Sequence, residues 1–175
     1  YIYKKMNKID DILKALKKEA VICMDTDTVP GLIGRASSSV VVKKIFSLKN
    51  RNSSKALSIM VSDIEMARKY GYLNNEIEKL LNFTNFSITV IVRQKIPTIL
   101  ARNINLKNQT IAIRIPKNDF LRQIIANLGE AVTATSANLS GKGELDKEFL
   151  RKLQQENIEA YNLAEKNGQN LASPI

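Results

Sequence analysis

The chain has 175 residues, 44% of them hydrophobic, and carries 27 Lys and Arg against 17 Asp and Glu, a formal charge of +10. It has no histidine and one cysteine, Cys23; histidine triads and general bases, His- or thiolate-ligated zinc and an internal disulfide are thereby excluded. No apolar run approaches the roughly 18 residues of a membrane span, and the start "YIYKKMNKID" has no signal-peptide apolar segment, so one globular domain over 1–175, no membrane and a cytoplasmic setting are expected.

In chain order, "NKIDDILKALKK" at 7–18 places Ile9, Ile12, Leu13 and Leu16 at helical spacing, with Asn7 as the cap. "AVICM" at 20–24 reads as a buried strand in which Cys23 is a small hydrophobe. A polar loop follows over 25–38. "SSVVVKKIFSLK" at 38–49 reads as a helix with Val41, Ile45 and Leu48 on one face and Ser38 or Ser39 as cap. "ALSIMVS" at 56–62 is a strand, and Ser62 with Glu65 has capping-box spacing for a helix at 63–70. A helix at 75–82 opens at Asn74 or Asn75.

Strands follow at 87–93 and 110–115, then a helix at 118–129 closed by Gly129, a strand at 131–135, a helix near 146–156 and a strand around 159–163. This alternation predicts an α/β fold: one domain, a twisted mixed parallel/antiparallel sheet and flanking helices. The strands at 87–93 and 110–115 have no helix between them, which predicts antiparallel pairing. Their basic link, 94–109, is the candidate lid by length and charge.

Four constellations stand out. "DTDTVPGL" at 25–32 follows the first strand, where α/β sheets place ligands; its hydroxyls and carboxylates serve a ligand or simply a turn. "LKNRNSSK" at 48–55 gathers Lys49, Arg51 and Lys55 at a helix end, where they complement the helix dipole or clamp an anion. In "TIAIRIP", Thr110, Ala112 and Arg114 share a face, making Arg114 either a surface charge or a buried cation needing an anion. "VTATSANLSG" at 132–141 breaks from β-branched residues into small polar ones: a turn, or a ligand cradle. The positive charge itself suits a polyanion, or merely solvated lysine-rich helix faces.

In this order and spacing, "DTDTVPGL", "LKNR", "IAIRIP" and "TATSANLSG" resemble the YrdC/Sua5 family of threonylcarbamoyl-AMP synthases, of the short single-domain type, over roughly 7–141. The resemblance implies a concave basic face and a reaction of L-threonine, bicarbonate and ATP, with Mg²⁺ accompanying ATP. The product is L-threonylcarbamoyladenylate plus pyrophosphate. In bacteria a threonylcarbamoyl-transferase complex then modifies adenosine 37 of tRNAs reading ANN codons. The resemblance places Lys49, Arg51, Lys55, Thr110, Ser136 and Asn138 on ATP, with Lys49 and Arg51 stabilising charge. It places Thr28, Arg114 and Ser173 on L-threonine.

No protein nucleophile is implied, because the nucleophile arrives with the substrate; no protein metal ligand is assigned, and Asp25 and Asp27 either bind a cation or make Asx turns. Three segments depart from the family pattern: Asp25 replaces a proline, Pro30 replaces a tyrosine, and "TNFSIT" at 84–89 replaces "WPGPLT". The alternative is a non-catalytic module binding double-stranded RNA or tRNA on the basic face; at 6% aromatic content, base stacking would contribute little to it.

Overall fold

The computed structural model describes residues 9–52, 55–83, 87–104, 109–138 and 147–161. Seven strands form one mixed sheet: β1 (Ile22–Met24), β2 (Gly31–Ile33), β3 (Ser58–Met60), β4 (Thr89–Arg93), β5 (Thr110–Arg114), β6 (Val132–Ser136) and β7 (Glu159–Tyr161). Their order across the sheet is β4-β5-β3-β6-β2-β1-β7. Only β1–β7 and β3–β5 pair in parallel. As expected, β4 and β5 pair antiparallel, with Thr89 opposite Arg114 and Arg93 opposite Thr110.

The helices are α1 (Ile9–Lys17), α2 (Ser39–Leu48), α3 (Ile64–Tyr70), α4 (Asn75–Phe83), α5 (Asp119–Leu128) and α6 (Lys147–Gln155). Side-chain caps begin several of them. Ser38 accepts from Val41 N, and Asn118 accepts from Leu121 N. Gly129 ends α5 at φ 79, a left-handed position that a side chain would strain. At α3 the expected Ser62–Glu65 box does not form. Asp63 is the cap, accepting from Met66 N at 2.8 Å, and the buried Ser62 hydroxyl donates to Asp63 Oδ2 instead. The Asn7 cap lies outside the described residues.

The sheet's two faces differ, and the difference creates the site. On β4 and β5 the side chains alternate. Val92, Ile111 and Ile113 are buried in the core shared with the helices, whereas Ile91 and Arg93 are exposed and Thr110, Ala112 and Arg114 half-buried. The strand register continues this open face through Ser58 and Met60 of β3 to Ala134 and Ser136 of β6. At the other side, β1 and β2 are buried on both faces. Two expectations fail here. The loop 25–38 contains a strand, β2. The described part of 94–109 is no lid: Leu100, Ala101 and Ile104 are buried, and Ala101 N donates to Ala36 O at 2.9 Å. Ala36 lies beyond the end of β2 remote from Gly31, so this segment is pinned away from the loop at 25–30.

Candidate active site

The Lys-x-Arg pair is set by the way α2 ends. Arg51 N donates to Phe46 O at 2.9 Å and Asn50 N to Ser47 O at 3.2 Å, while Asn50 takes φ 47. This is a Schellman closure, with asparagine in the left-handed position that glycine more often fills. It turns the chain sharply between Lys49 and Arg51, and their side chains part. Arg51 Nη2 donates to Ala56 O at 2.7 Å, holding the link between α2 and β3. The exposed Lys55 lies on that link.

Lys49 is 1% exposed. Its Nζ donates to Asn138 O at 2.7 Å, to Asn138 Oδ1 at 2.8 Å and to Ser136 O. The Ser136 hydroxyl donates to the same Asn138 Oδ1 at 2.7 Å. The ammonium is therefore the hub on which the Ser-x-Asn turn is built. Burial, reinforced by the Arg51 charge, lowers the Lys49 pKa from 10.5 to about 8. An unfolded chain keeps this proton until 10.5, so between the two values the unfolded state binds more protons. This group's contribution to stability is a constant penalty below about 8 that is relieved as pH rises toward 10.5. Loss of the charge also removes positive potential beside the Ser-x-Asn turn. Nucleotide affinity is expected to fall through a midpoint near about 8 while the Lys49 part of the stability rises; calorimetric titrations across that range check it, and a pH-independent affinity would contradict it.

The Ser-x-Asn turn is tied to the Thr-Asp-Thr loop. Ala137 N donates to Pro30 O at 2.7 Å, and Gly31 pairs with Ser136. A Cβ on Gly31 would come within 3.2 Å of both Thr135 O and Thr26 Cγ2, so glycine permits the close approach. Within the loop, Thr26 Oγ1 donates to Val29 O at 2.7 Å and accepts from Thr28 N at 3.2 Å. The loop then crosses to the far end of β5. Arg114 Nη2 donates to Asp27 Oδ1 at 2.7 Å and to Thr28 Oγ1 at 3.2 Å. Arg114 is thus the cation that needs an anion, since β5 is interior to the sheet and its side chain is 18% exposed.

Beneath the loop is a cavity of about 140 Å³ lined by Thr28, Gly31, Ser58, Met60, Arg114 and Ser136, among others. That leaves room for a small amino acid, in a cavity partly open to solvent. Thr110 and Arg114 share the open face four residues apart, which a rise of about 3.3 Å per residue makes about 13 Å. Thr110 does not line the cavity, whereas Arg114 and Ser136 both do.

The sequence-derived residues Thr28, Arg114 and Ser136 meet at this cavity, and Lys49 and Asn138 stand behind Ser136 through their hydrogen bonds to it, whereas Arg51 turns to Ala56 O. Ser173 lies outside the described residues. Ser58, Met60 and Ser87 were not expected at the site, and Asp27, one of the loop's two carboxylates, serves by pairing with Arg114. Period-two alternation in "ALSIMVS" would have paired Ser58 with Met60 on one face, but nothing local showed that the face was open. Cys23 is no nucleophile: burial, then the Asp25 charge, push its thiol up to about 12. Among the described residues no three His, Cys, Asp or Glu side chains gather to hold a metal, and Asp27 is engaged by Arg114.

A concave site on the open face of an α/β sheet, with a few polar groups converging on it, is the usual setting of a small-molecule site. The chain belongs to the Sua5/YciO/YrdC family: the family model, described as "Telomere recombination", matches residues 14–172. Among curated relatives, a putative threonylcarbamoyl-AMP synthase of Methanocaldococcus jannaschii is 36% identical over 156 residues, 81% of this chain and 70% of that protein. The threonylcarbamoyl-AMP synthase of Bacillus subtilis is 33% identical over 129 residues, 73% of this chain but 37% of the longer relative. Among solved structures, P. abyssi Sua5 complexed with L-threonine shares the fold at TM-score 0.75 and 22% identity, over 88% of this chain and 46% of that one.

Proposed function

We propose that the protein synthesises L-threonylcarbamoyladenylate from L-threonine, bicarbonate and ATP, releasing pyrophosphate, as a nucleotidyltransferase. The product supplies N6-threonylcarbamoyladenosine at position 37 of tRNAs reading ANN codons. The observation that carries this reading is the amino-acid-sized cavity bearing Arg114 and set directly against the Lys49-built Ser-x-Asn turn. A module that only bound RNA would have no use for such a cavity. The curated relatives' names support the same reaction.

In this reading Arg114 and the Thr28 hydroxyl hold threonine in the cavity. The amine attacks the carbon of CO₂ derived from bicarbonate, loses a proton and becomes a carbamate. A carbamate oxygen then attacks the α-phosphorus of ATP; the bond to the bridging oxygen breaks, and pyrophosphate leaves with the electron pair. Both reactants are anions, so the protein acts by alignment and charge compensation. Arg51, Lys55 and the buried Lys49 charge supply positive potential on the phosphate side. Ser136, Asn138 and Thr110 supply polar contacts to the nucleotide, and Ser173 is assigned to the threonine side. Mg²⁺ enters with ATP. The basic surface is assigned to tRNA or double-stranded RNA, and a threonylcarbamoyl-transferase complex takes the product.

Incubation with ¹⁴C-bicarbonate, ATP, Mg²⁺ and L-threonine is expected to place label in a nucleotide that collapses to AMP on mild hydrolysis. Label appearing without threonine, or none at all in a protein that binds both substrates, would contradict the assignment.

A further inference from the structure

Asp27 is engaged from three directions. Arg114 Nη2 donates to its Oδ1 at 2.7 Å, Lys117 N donates to its Oδ2 at 3.1 Å, and the Ser87 hydroxyl donates to the same Oδ2. Lys117 N also reaches Ser87 Oγ at 3.2 Å. One carboxylate, 11% exposed, thus joins the loop after β1 to the segment entering β4 and the segment leaving β5. Asp27 meets Arg114 through a single nitrogen. Arg114 Nε is buried and has no hydrogen-bond partner among the described residues. A guanidinium carries five donors in a rigid fork, enough for two carboxylates at once. The pairing therefore holds the cation at Nη2 and leaves donors for a second anion, while Arg114 itself lines the cavity.

We propose that Asp27 is a positioning residue that fixes the Arg114 guanidinium to receive the substrate's α-carboxylate, and that Ser87 and the Lys117 N–H fix Asp27 in turn. This rests on the amino-acid role of the cavity. It also accounts for Ser87 in the altered segment at 84–89, since Ser87 braces the threonine side from outside the cavity. Since Asp27 neutralises part of the Arg114 charge, the site is tuned to an amino acid with one carboxylate rather than two.

The test is calorimetric binding of L-threonine and, separately, of ATP to the full chain, with melting curves. Asp27→Asn keeps the shape and removes the charge. L-threonine affinity is expected to fall at least about tenfold, the weight of one charge-assisted contact, with ATP affinity unchanged; the melting temperature falls, because the half-buried Arg114 charge loses its compensating carboxylate. In turnover the KM for threonine is expected to rise more than kcat falls. Ser87→Ala, which leaves Arg114 and the Lys117 N–H in place, is expected to show a smaller loss of the same kind, and it carries the test if Asp27→Asn does not fold. Unchanged threonine affinity would overturn the proposal. Tighter threonine binding would overturn it too, by showing that Asp27 competes with substrate, as would an ATP affinity that falls as far as the threonine affinity. Wild-type protein that binds threonine but forms no adenylate would refute the proposed reaction and leave this role standing; wild-type protein that binds ATP but no amino acid would overturn this role.

Discussion

Arg114→Ala is expected to raise the KM for threonine by at least about thirtyfold while ATP affinity stays close to wild type. Truncating one member of a buried, hydrogen-bonded charge pair costs about 2–5 kcal/mol, and about 1.4 kcal/mol is a factor of ten. Two deficits combine here. The substrate carboxylate loses its cation, and Asp27, 11% exposed, loses the partner that compensates it. Arg114→Lys is expected to recover only a minor part, because a single ammonium cannot hold Asp27 and present a fork to substrate together. Steady-state pyrophosphate release with threonine varied at saturating ATP reads the effect. Equal KM values in wild type and Arg114→Ala would remove Arg114 from the substrate site.

The second large effect is at Lys49. Lys49→Met keeps the stem's volume and deletes the ammonium, leaving Ser136 O, Asn138 O and Asn138 Oδ1 without the donor that gathers them. Ser136 O keeps Asn138 N and Asn138 Oδ1 keeps the Ser136 hydroxyl, so the loss is that of charge-assisted contacts, about 1.5–3 kcal/mol, offset in part because a desolvated charge is also removed. A net loss of about 1–2 kcal/mol follows. For a chain of this length that is a fall of about 2–8 °C in melting temperature. Nucleotide binding is expected to fail with it, because Ser136 and Asn138 no longer hold their positions. A Lys49→Met protein that melts like wild type and binds ATP would show that the turn stands without its hub.

Most of the elements were legible because their signals are local. Ser38, Asn118 and Gly129 mark helix ends through backbone hydrogen bonds reached within a turn, and the alternation in β5 marks its two faces. β2 was not legible: Gly31, Leu32 and Ile33 are buried on both sides, so three residues after Pro30 carry no alternation to read. At α3, Ser62 and Asp63 are adjacent oxygen-bearing residues, and spacing alone does not decide which one caps. The 94–109 link read as a candidate lid from its length and charge, but Leu100, Ala101 and Ile104 within it are buried.

For the site, the motifs named the right segments, while the roles within them depended on distant partners. Arg114 could be read as surface or buried from its strand; Asp27, at a remote position in the chain, decides it. Lys49 reads as a free cation for phosphate at a helix end, but its head group is enclosed by the turn at 136–138. Neither pairing leaves a local trace, because each forms only when the sheet brings its strands into register.

Pyrophosphate release with ATP, Mg²⁺ and bicarbonate, with and without L-threonine and with L-serine as the control, tests the central claim most directly. Release that requires both threonine and bicarbonate, and is weaker with serine, is the expected result. Release indifferent to the amino acid, or absent from a protein that binds ATP, would contradict the pairing of an amino-acid cavity with a nucleotide wall on which the proposed function stands.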